Sequence, residues 1–180
     1  YNLAFEREIA TGWMARAAYV GSTATAGRSS VTLNPAIYRP GGPTGNPQAR
    51  RRMPEYSGIT QYTQNRSSQY HSMQLTVNRR YANGFKLSVA YTYGKSFDNG
   101  SDKRNVLWNT NDDGSFWGPS SFDRTHVAVV SYIYDLPFWR DQSQGLMSNL
   151  LGGWQISGAT FLRTGQPFSV FQTATDVAGV

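Results

Sequence analysis

The chain has 180 residues, a formal net charge of +6 and no cysteine. Its length is enough for one domain with a sizeable core, and the lack of thiols excludes a disulfide framework and a thiolate metal site. No apolar run reaches about 18 residues, which excludes a transmembrane helix. Charged residues are 16% of the chain and aromatic residues 14%, a balance that suits a β-barrel with a polar but mostly uncharged lumen.

Two short strands are predicted near residues 2–8 and 13–20. Leu3 and Phe5 alternate with polar residues in the first strand, and Trp13 opens the second after a tight Ala-Thr-Gly turn. The start has neither the basic residues nor the apolar core of a signal peptide. We therefore expect the chain to begin within a larger protein.

A β-hairpin is predicted next, with arms near residues 69–81 and 85–93. Asn83 and Gly84 separate the arms, and both tolerate the positive φ that a tight hairpin turn requires. One face of the two arms is apolar and carries Met73, Leu75, Val77, Tyr81, Phe85, Leu87, Val89, Tyr91 and Tyr93. The other face is polar and includes Gln74, Thr76 and Ser88. Each arm is about as long as a tilted transmembrane strand, which needs roughly 9–11 residues.

Long irregular loops are predicted at residues 21–67 and 94–122, because the first is rich in Pro and Gly and the second in Asn, Asp, Ser and Gly. Further strands are predicted near residues 126–135 and 153–163. The connections thus alternate between short and long along the chain.

Alternate connections of an up-and-down membrane barrel lie on opposite sides of the membrane, with short turns in the periplasm and long loops outside. A soluble antiparallel sandwich shows the same alternation of side chains, but it gives no reason for the alternation of loop lengths. The sequence therefore predicts an all-β fold of antiparallel up-and-down strands that form part of a large transmembrane β-barrel with long extracellular loops. A soluble β-sandwich that binds carbohydrate through exposed aromatic residues is the alternative.

Two sets of motifs lie in the second half of the chain. The first is Gly118-Pro119-Ser120-Ser121-Phe122-Asp123-Arg124-Thr125-His126 followed by Ser131-Tyr132-Ile133-Tyr134-Asp135-Leu136-Pro137-Phe138, and the second is Gly152-Gly153-Trp154-Gln155-Ile156-Ser157-Gly158 followed by Thr164-Gly165-Gln166-Pro167-Phe168. Together they resemble the C-terminal barrel half of TonB-dependent receptor-like outer-membrane proteins, in particular the Oar-like type with an N-terminal carboxypeptidase-regulatory-like domain. The resemblance covers most of the chain from residue 68 to residue 170.

The resemblance implies a large plugged barrel, which in such transporters has about 22 strands. Residues 1–180 would form part of this barrel. It implies substrate uptake or surface interaction at a Gram-negative type outer membrane, and no cofactor. The implied partners are outer-membrane lipid or lipopolysaccharide, an unknown ligand, and the TonB complex through an N-terminal part. The chain departs from the family pattern because it has no TonB box, no plug domain and no aromatic C-terminal residue.

Candidate metal and catalytic residues are sparse. The spacing of Asn109, Asn111, Asp113 and Gly114 matches the start of an EF-hand loop, but Ser120 occupies the position of the bidentate glutamate. His71 and His126 have no partner at ligand spacing, so each is expected to be a hydrogen-bonding residue at a strand end. Asp123, Arg124 and His126 invite a catalytic interpretation, but no nucleophile elbow or second carboxylate supports it. We therefore expect no metal site, no catalytic residues and no enzymatic activity.

Candidate ligand-binding residues lie in the two long loops. Arg50, Arg51 and Arg52 are expected to contact an anionic ligand or the phosphates of lipopolysaccharide, or else to be solvated. Trp108, Phe116 and Trp117 are expected to stack on a ligand or to hold the second loop on the barrel wall. The other basic residues are dispersed, so a nucleic-acid partner is not expected.

Overall fold

The structure is a computed structural model that describes residues 1–37, 46–101, 106–107, 116–137 and 152–168. Within these residues the chain forms eight β-strands and one short 3-10 helix, Pro47–Arg50. The strands are β1 Asn2–Ala10, β2 Trp13–Thr32, β3 Thr60–Ala82, β4 Phe85–Asp98, β5 Val106–Leu107, β6 Gly118–Pro119, β7 His126–Asp135 and β8 Gln155–Arg163.

The strands belong to one sheet with the order β1-β2-β3-β4-β7-β8, in which β5 also pairs with β2 and β6 with β4. The pairs β1/β2, β4/β7 and β7/β8 are antiparallel, and β5 runs parallel to β2. The predicted all-β fold of antiparallel strands is confirmed. The sheet is open in the part of the chain that the structure describes, with β1 and β8 at its edges.

The chain divides into two compact units. Unit 1 comprises Tyr1–Ser22, Tyr70–Lys95 and Arg124–Gly165, and unit 2 comprises Thr23–Gln69, Ser96–Asp123 and Gln166–Val180.

Tight turns gather at one end of unit 1. Gly12, with φ 77°, closes the first turn, and Asn83 and Gly84, with φ 54° and 75°, form the second. Two consecutive residues with positive φ define the type I′ turn that matches the twist of a hairpin. The amide of Arg80 donates to the carbonyl of Gly12 at 2.9 Å, so the two turns are neighbours. We call this end of unit 1 the short-turn end and the opposite end the loop end.

The strand register of unit 1 separates an apolar face from a polar face. On the apolar face, Leu3 pairs with Tyr19, Val89 with Val130, and Tyr134 with Ile156. On the polar face, Glu6 pairs with Arg16, Ser88 with Ser131, and Ile133 with Ser157. Many large side chains of the apolar face are exposed, among them Leu3, Phe5, Tyr19, Met73, Leu75, Tyr93, Tyr134, Ile156 and Leu162. A sheet that exposes its apolar side chains needs another apolar surface to cover them.

Side-chain contacts fix which residues of β3 belong to each face. The ring of His71 stacks on Tyr19 of the apolar face, with 6.2 Å between the ring centroids. The hydroxyl of Ser88 donates to Oδ1 of Asn78 on the polar face at 2.7 Å. Because successive side chains alternate, Leu75 lies on the apolar face and the even-numbered Gln74 and Thr76 on the polar face.

Tyrosine rings cover glycines of neighbouring strands in unit 1. A Cβ atom at Gly158 would lie 2.9 Å from the hydroxyl oxygen of Tyr132, and one at Gly94 would lie 3.0 Å from that of Tyr70. Covering a glycine with an aromatic ring restores packing that the missing side chain would otherwise leave open. A side chain larger than that of glycine at these positions would therefore displace the tyrosine rings.

The boundaries of the two predicted loops are wrong. Strand β2 continues to Thr32, β3 already begins at Thr60, and β4 continues to Asp98, so residues 21–67 and 94–122 are not irregular throughout. The residues that follow position 21 are small and polar without period-two alternation. Backbone hydrogen bonds stabilise these strand ends independently of side-chain character, and for this reason sequence patterning missed them.

Candidate functional site

Both histidines lie at the loop end of unit 1, on its apolar face. A 2.7 Å hydrogen bond joins the hydroxyl of Tyr19 to Nδ1 of His71, and a second of 2.7 Å joins Tyr91 to Nδ1 of His126. The ring centroids of Tyr93 and His126 are 5.2 Å apart. Within the described residues no group of three or more His, Asp or Glu side chains could hold a metal ion. The geometry thus makes the two histidines members of an aromatic, hydrogen-bonded belt.

A second aromatic belt lies at the short-turn end of the apolar face. The guanidinium of Arg79 lies over the rings of Trp13 and Phe85, at 5.3 Å and 4.8 Å from their centroids. Phe85 in turn meets Tyr134 edge to face at 6.1 Å. The hydroxyl of Tyr81 donates a hydrogen bond to the carboxylate of Asp135.

The two belts bracket a band of aliphatic side chains. Such a band flanked by aromatic girdles is typical of the lipid-facing surface of a transmembrane β-barrel, because amphipathic rings favour the depth of the lipid headgroups. No helix within the described ranges combines the length and the apolar character that crossing a bilayer requires.

The loop base of unit 2 is organised by Asn34, which is 0% exposed. Its Nδ2 group donates to the carbonyls of Met53, Tyr56 and Ser57 at 3.0–3.1 Å. Its Oδ1 atom accepts from the amide of Met53 at 3.2 Å. The single amide group therefore satisfies several loop backbone groups that are far from it in sequence, and the sequence analysis did not identify it.

The three arginines predicted to bind a ligand occupy different environments in unit 2. Arg50 is 5% exposed. Arg51 donates through Nε to Oε1 of Gln48 at 3.0 Å and through Nη1 to the carbonyl of Asn34. Only Arg52 presents an exposed side chain. The structure therefore does not bring the three guanidinium groups into one surface patch, and ligand binding by them stays a prediction.

The aromatic candidates of the second loop are partly described. Trp117 is 42% exposed and Phe116 is half-buried. Trp108 and residues 109–114 of the EF-hand-like segment lie outside the described residues. Ser120 is fully buried and its hydroxyl is 2.9 Å from that of Ser96. Ligand stacking by the two tryptophans stays a prediction.

The side chains considered for catalysis form hydrogen bonds with backbone groups. Asp123 is 5% exposed and accepts from the amide of Ser96 at 2.8 Å in unit 2. In unit 1, Arg124 donates to the carbonyl of Thr164 at 3.0 Å. These contacts order the ends of loops.

Unit 2 also contains a small pocket of about 220 Å³, which the sequence did not predict. Arg66, Asp98 and Ser101 contribute to its lining, and the exposed ring of Phe122 lies at its margin. The carboxylate of Asp98 accepts from the amide of Gly100 at 2.8 Å and from the hydroxyl of Ser101. The sequence Asp98-Asn99-Gly100 is typical of such an Asx turn.

Comparison with known proteins agrees with this geometry. The family model of the outer membrane beta barrel domain matches residues 1–180. No curated protein and no solved structure matches the chain. The family match, together with the bracketed apolar band, confirms the predicted outer-membrane location and overturns the alternative of a soluble β-sandwich. The chain belongs to the outer membrane beta barrel domain family.

Proposed function

We propose that the chain is a segment of the barrel wall of a TonB-dependent receptor-like transporter of the Oar-like type, which takes up a substrate or interacts with a ligand at the cell surface. Membership of the outer-membrane barrel family supports the membrane role, and the motif resemblance supports the receptor type. In this proposal the barrel has no catalytic activity, and TonB acts through an N-terminal part of the protein.

The observation that carries the proposal is an apolar patch on the otherwise polar face of unit 1. Ala90 pairs with Val129, and Val129 pairs with Phe161, so the three form one row across β4, β7 and β8. Val127, two positions before Val129, extends the row along β7. We call these four residues the inner apolar patch. Phe161 is 58% exposed.

The inner apolar patch favours a plugged barrel over a water-filled pore. The polar face of a membrane barrel faces the lumen, which is aqueous in porins, and exposed apolar area of this kind is unfavourable in water. A plug domain seated in the lumen would cover it. Large barrels of the transporter class contain such plugs.

The open sheet supports a barrel larger than the described strands. Six strands of unit 1 lie in sequence in the sheet, and β1 and β8 carry unpaired edges within the described residues. Barrels that span membranes have at least about eight strands and leave no edge. Additional strands must therefore complete the wall.

Photo-crosslinking in the full-length protein tests the proposal. A benzophenone amino acid placed at Val129 or Phe161 is expected to crosslink to a plug segment of the same polypeptide, identified by mass spectrometry. Val130, the next residue on β7, faces the opposite side and serves as the matched control, with lipid adducts only. If Val129 and Phe161 give no protein adduct while Val130 behaves as expected, the lumen is open there and the receptor proposal fails.

A further inference from the structure

The guanidinium group of Arg79 lies on the apolar face of unit 1, and none of the described carboxylates pairs with it. Arg79 is half-buried, and its Cζ atom lies over the rings of Trp13 and Phe85. Among the described residues the structure records neither a hydrogen bond nor an ion pair for its side chain. A partly buried charge usually requires a partner, and the described residues supply only the two aromatic rings.

The depth of Arg79 identifies the kind of partner. Trp13 and Phe85 are the first residues of β2 and β4, and together with Tyr134 they form the aromatic belt at the short-turn end. Aromatic belts sit at the level of the lipid headgroups, and short turns of outer-membrane barrels face the periplasm. Arg79 is therefore placed at the headgroups of the periplasmic leaflet.

The chemistry of the group favours phosphate. Aromatic rings that stack on a guanidinium leave its N–H groups directed outward within its plane, where they fit two oxygens of a phosphate. Such charge-assisted bidentate bonds are about twice as strong as neutral ones. A lysine ammonium would offer neither the stacking nor the fork geometry.

We propose that Arg79, held between Trp13 and Phe85, binds the headgroup phosphate of a phospholipid in the periplasmic leaflet. The site anchors the short-turn end of the barrel wall at a fixed depth. This inference rests on membership of the outer-membrane barrel family and does not require transport or a plug.

Native mass spectrometry of the full-length protein in detergent tests the site. The probes are dioctanoyl phosphatidylglycerol and dioctanoylglycerol, which share their acyl chains and differ in the phosphate headgroup. We expect the wild type to prefer the phosphate lipid and Arg79→Gln to lose about tenfold of that preference, as expected for a hydrogen bond to a charged group. Arg80→Gln is the matched control, because Arg80 is the adjacent exposed arginine of β3 and belongs to the polar face.

Three results would overturn the inference. One is an unchanged phosphate preference in Arg79→Gln, and another is an equal loss in Arg80→Gln, which would indicate general charge attraction. The third is selective retention of lipopolysaccharide by the wild type that Arg79→Gln abolishes, since this would place the belt in the outer leaflet.

If Arg79→Gln does not insert into membranes, Arg79→Lys replaces it, and an unchanged preference for the phosphate lipid in that variant would equally contradict the proposal.

Discussion

At the scale of single residues, close packing between tyrosine and glycine determines what unit 1 tolerates. The ring of Tyr132 approaches Gly158 so closely that a methyl group would meet its hydroxyl oxygen and Cζ atom at 2.9 Å and 3.0 Å. Gly165, by contrast, has no atom within 4 Å of the position that a Cβ would take. The two glycines of unit 1 therefore differ in packing, and Gly158 lies within β8 whereas Gly165 follows it.

We expect Gly158→Ala to destabilise the full-length protein by about 1–3 kcal/mol, because overpacking forces neighbouring side chains from their positions. Gly165→Ala should be neutral or slightly stabilising, since it only restricts the unfolded chain. Urea unfolding in lipid vesicles, followed by tryptophan fluorescence, measures both free energies. Equal effects of the two substitutions would show that the ring of Tyr132 does not constrain Gly158.

The buried amide of Asn34 gives a second prediction at the residue scale. Asn34→Asp replaces the amide donor, which bonds the carbonyls of Met53, Tyr56 and Ser57, with a second acceptor. The unsatisfied carbonyls should lower the free energy of unfolding of the loop base by about 1–3 kcal/mol. Amide hydrogen exchange of residues 51–58 should become faster.

Asn46→Asp is the matched control for the loop base. Asn46 is exposed and its Oδ1 accepts from the amide of Gln48 at 3.1 Å, which an aspartate can equally do. We expect no change in exchange for this variant. If exchange in residues 51–58 is unaffected by Asn34→Asp as well, Asn34 does not organise the loop base.

At the scale of elements, the hairpin around Asn83 and Gly84 was predictable because its information is local. The alternation of apolar and polar residues and the two turn residues lie within one short stretch, and the structure places the strands and the positive-φ turn there. The extension of β2 beyond residue 20 was not predictable, since small and polar residues pair through their backbones without a side-chain pattern. The role of Asn34 was hidden for a related reason, because its carbonyl partners lie 19–23 residues away in sequence.

The two faces of β3 give an element-scale prediction. Leu75→Arg places a charge on the apolar face and should destabilise the full-length protein in bilayers by about 2–4 kcal/mol near mid-membrane. Gln74→Arg places the same charge on the polar face of the same strand, where water or polar groups can solvate it, and its cost should be much smaller. Unfolding titrations in vesicles compare the two variants. A larger cost for Gln74→Arg would reverse the assignment of the faces.

At the scale of the whole molecule, the open sheet predicts how the isolated chain behaves. The exposed side chains of the apolar face have no lipid to cover them in buffer, and within the described residues β1 and β8 present open edges that can pair with other copies. We expect residues 1–180 alone to aggregate in detergent-free buffer, as measured by light scattering. A monodisperse, cooperatively unfolding monomer in plain buffer would contradict this expectation.

The central claim is that the apolar face of unit 1 contacts lipid, and spin labelling of the full-length protein in bilayers measures this contact directly. Labels at Leu75, Val77 and Val89 should be accessible to oxygen, which partitions into lipid, whereas labels at Gln74, Thr76 and Ser88 should not show this lipid accessibility. We expect the lipid accessibility of the labels to alternate strictly between the two sets of positions along β3 and β4. If the apolar positions are shielded from both lipid and water, the face packs against protein and the membrane assignment of these strands is wrong.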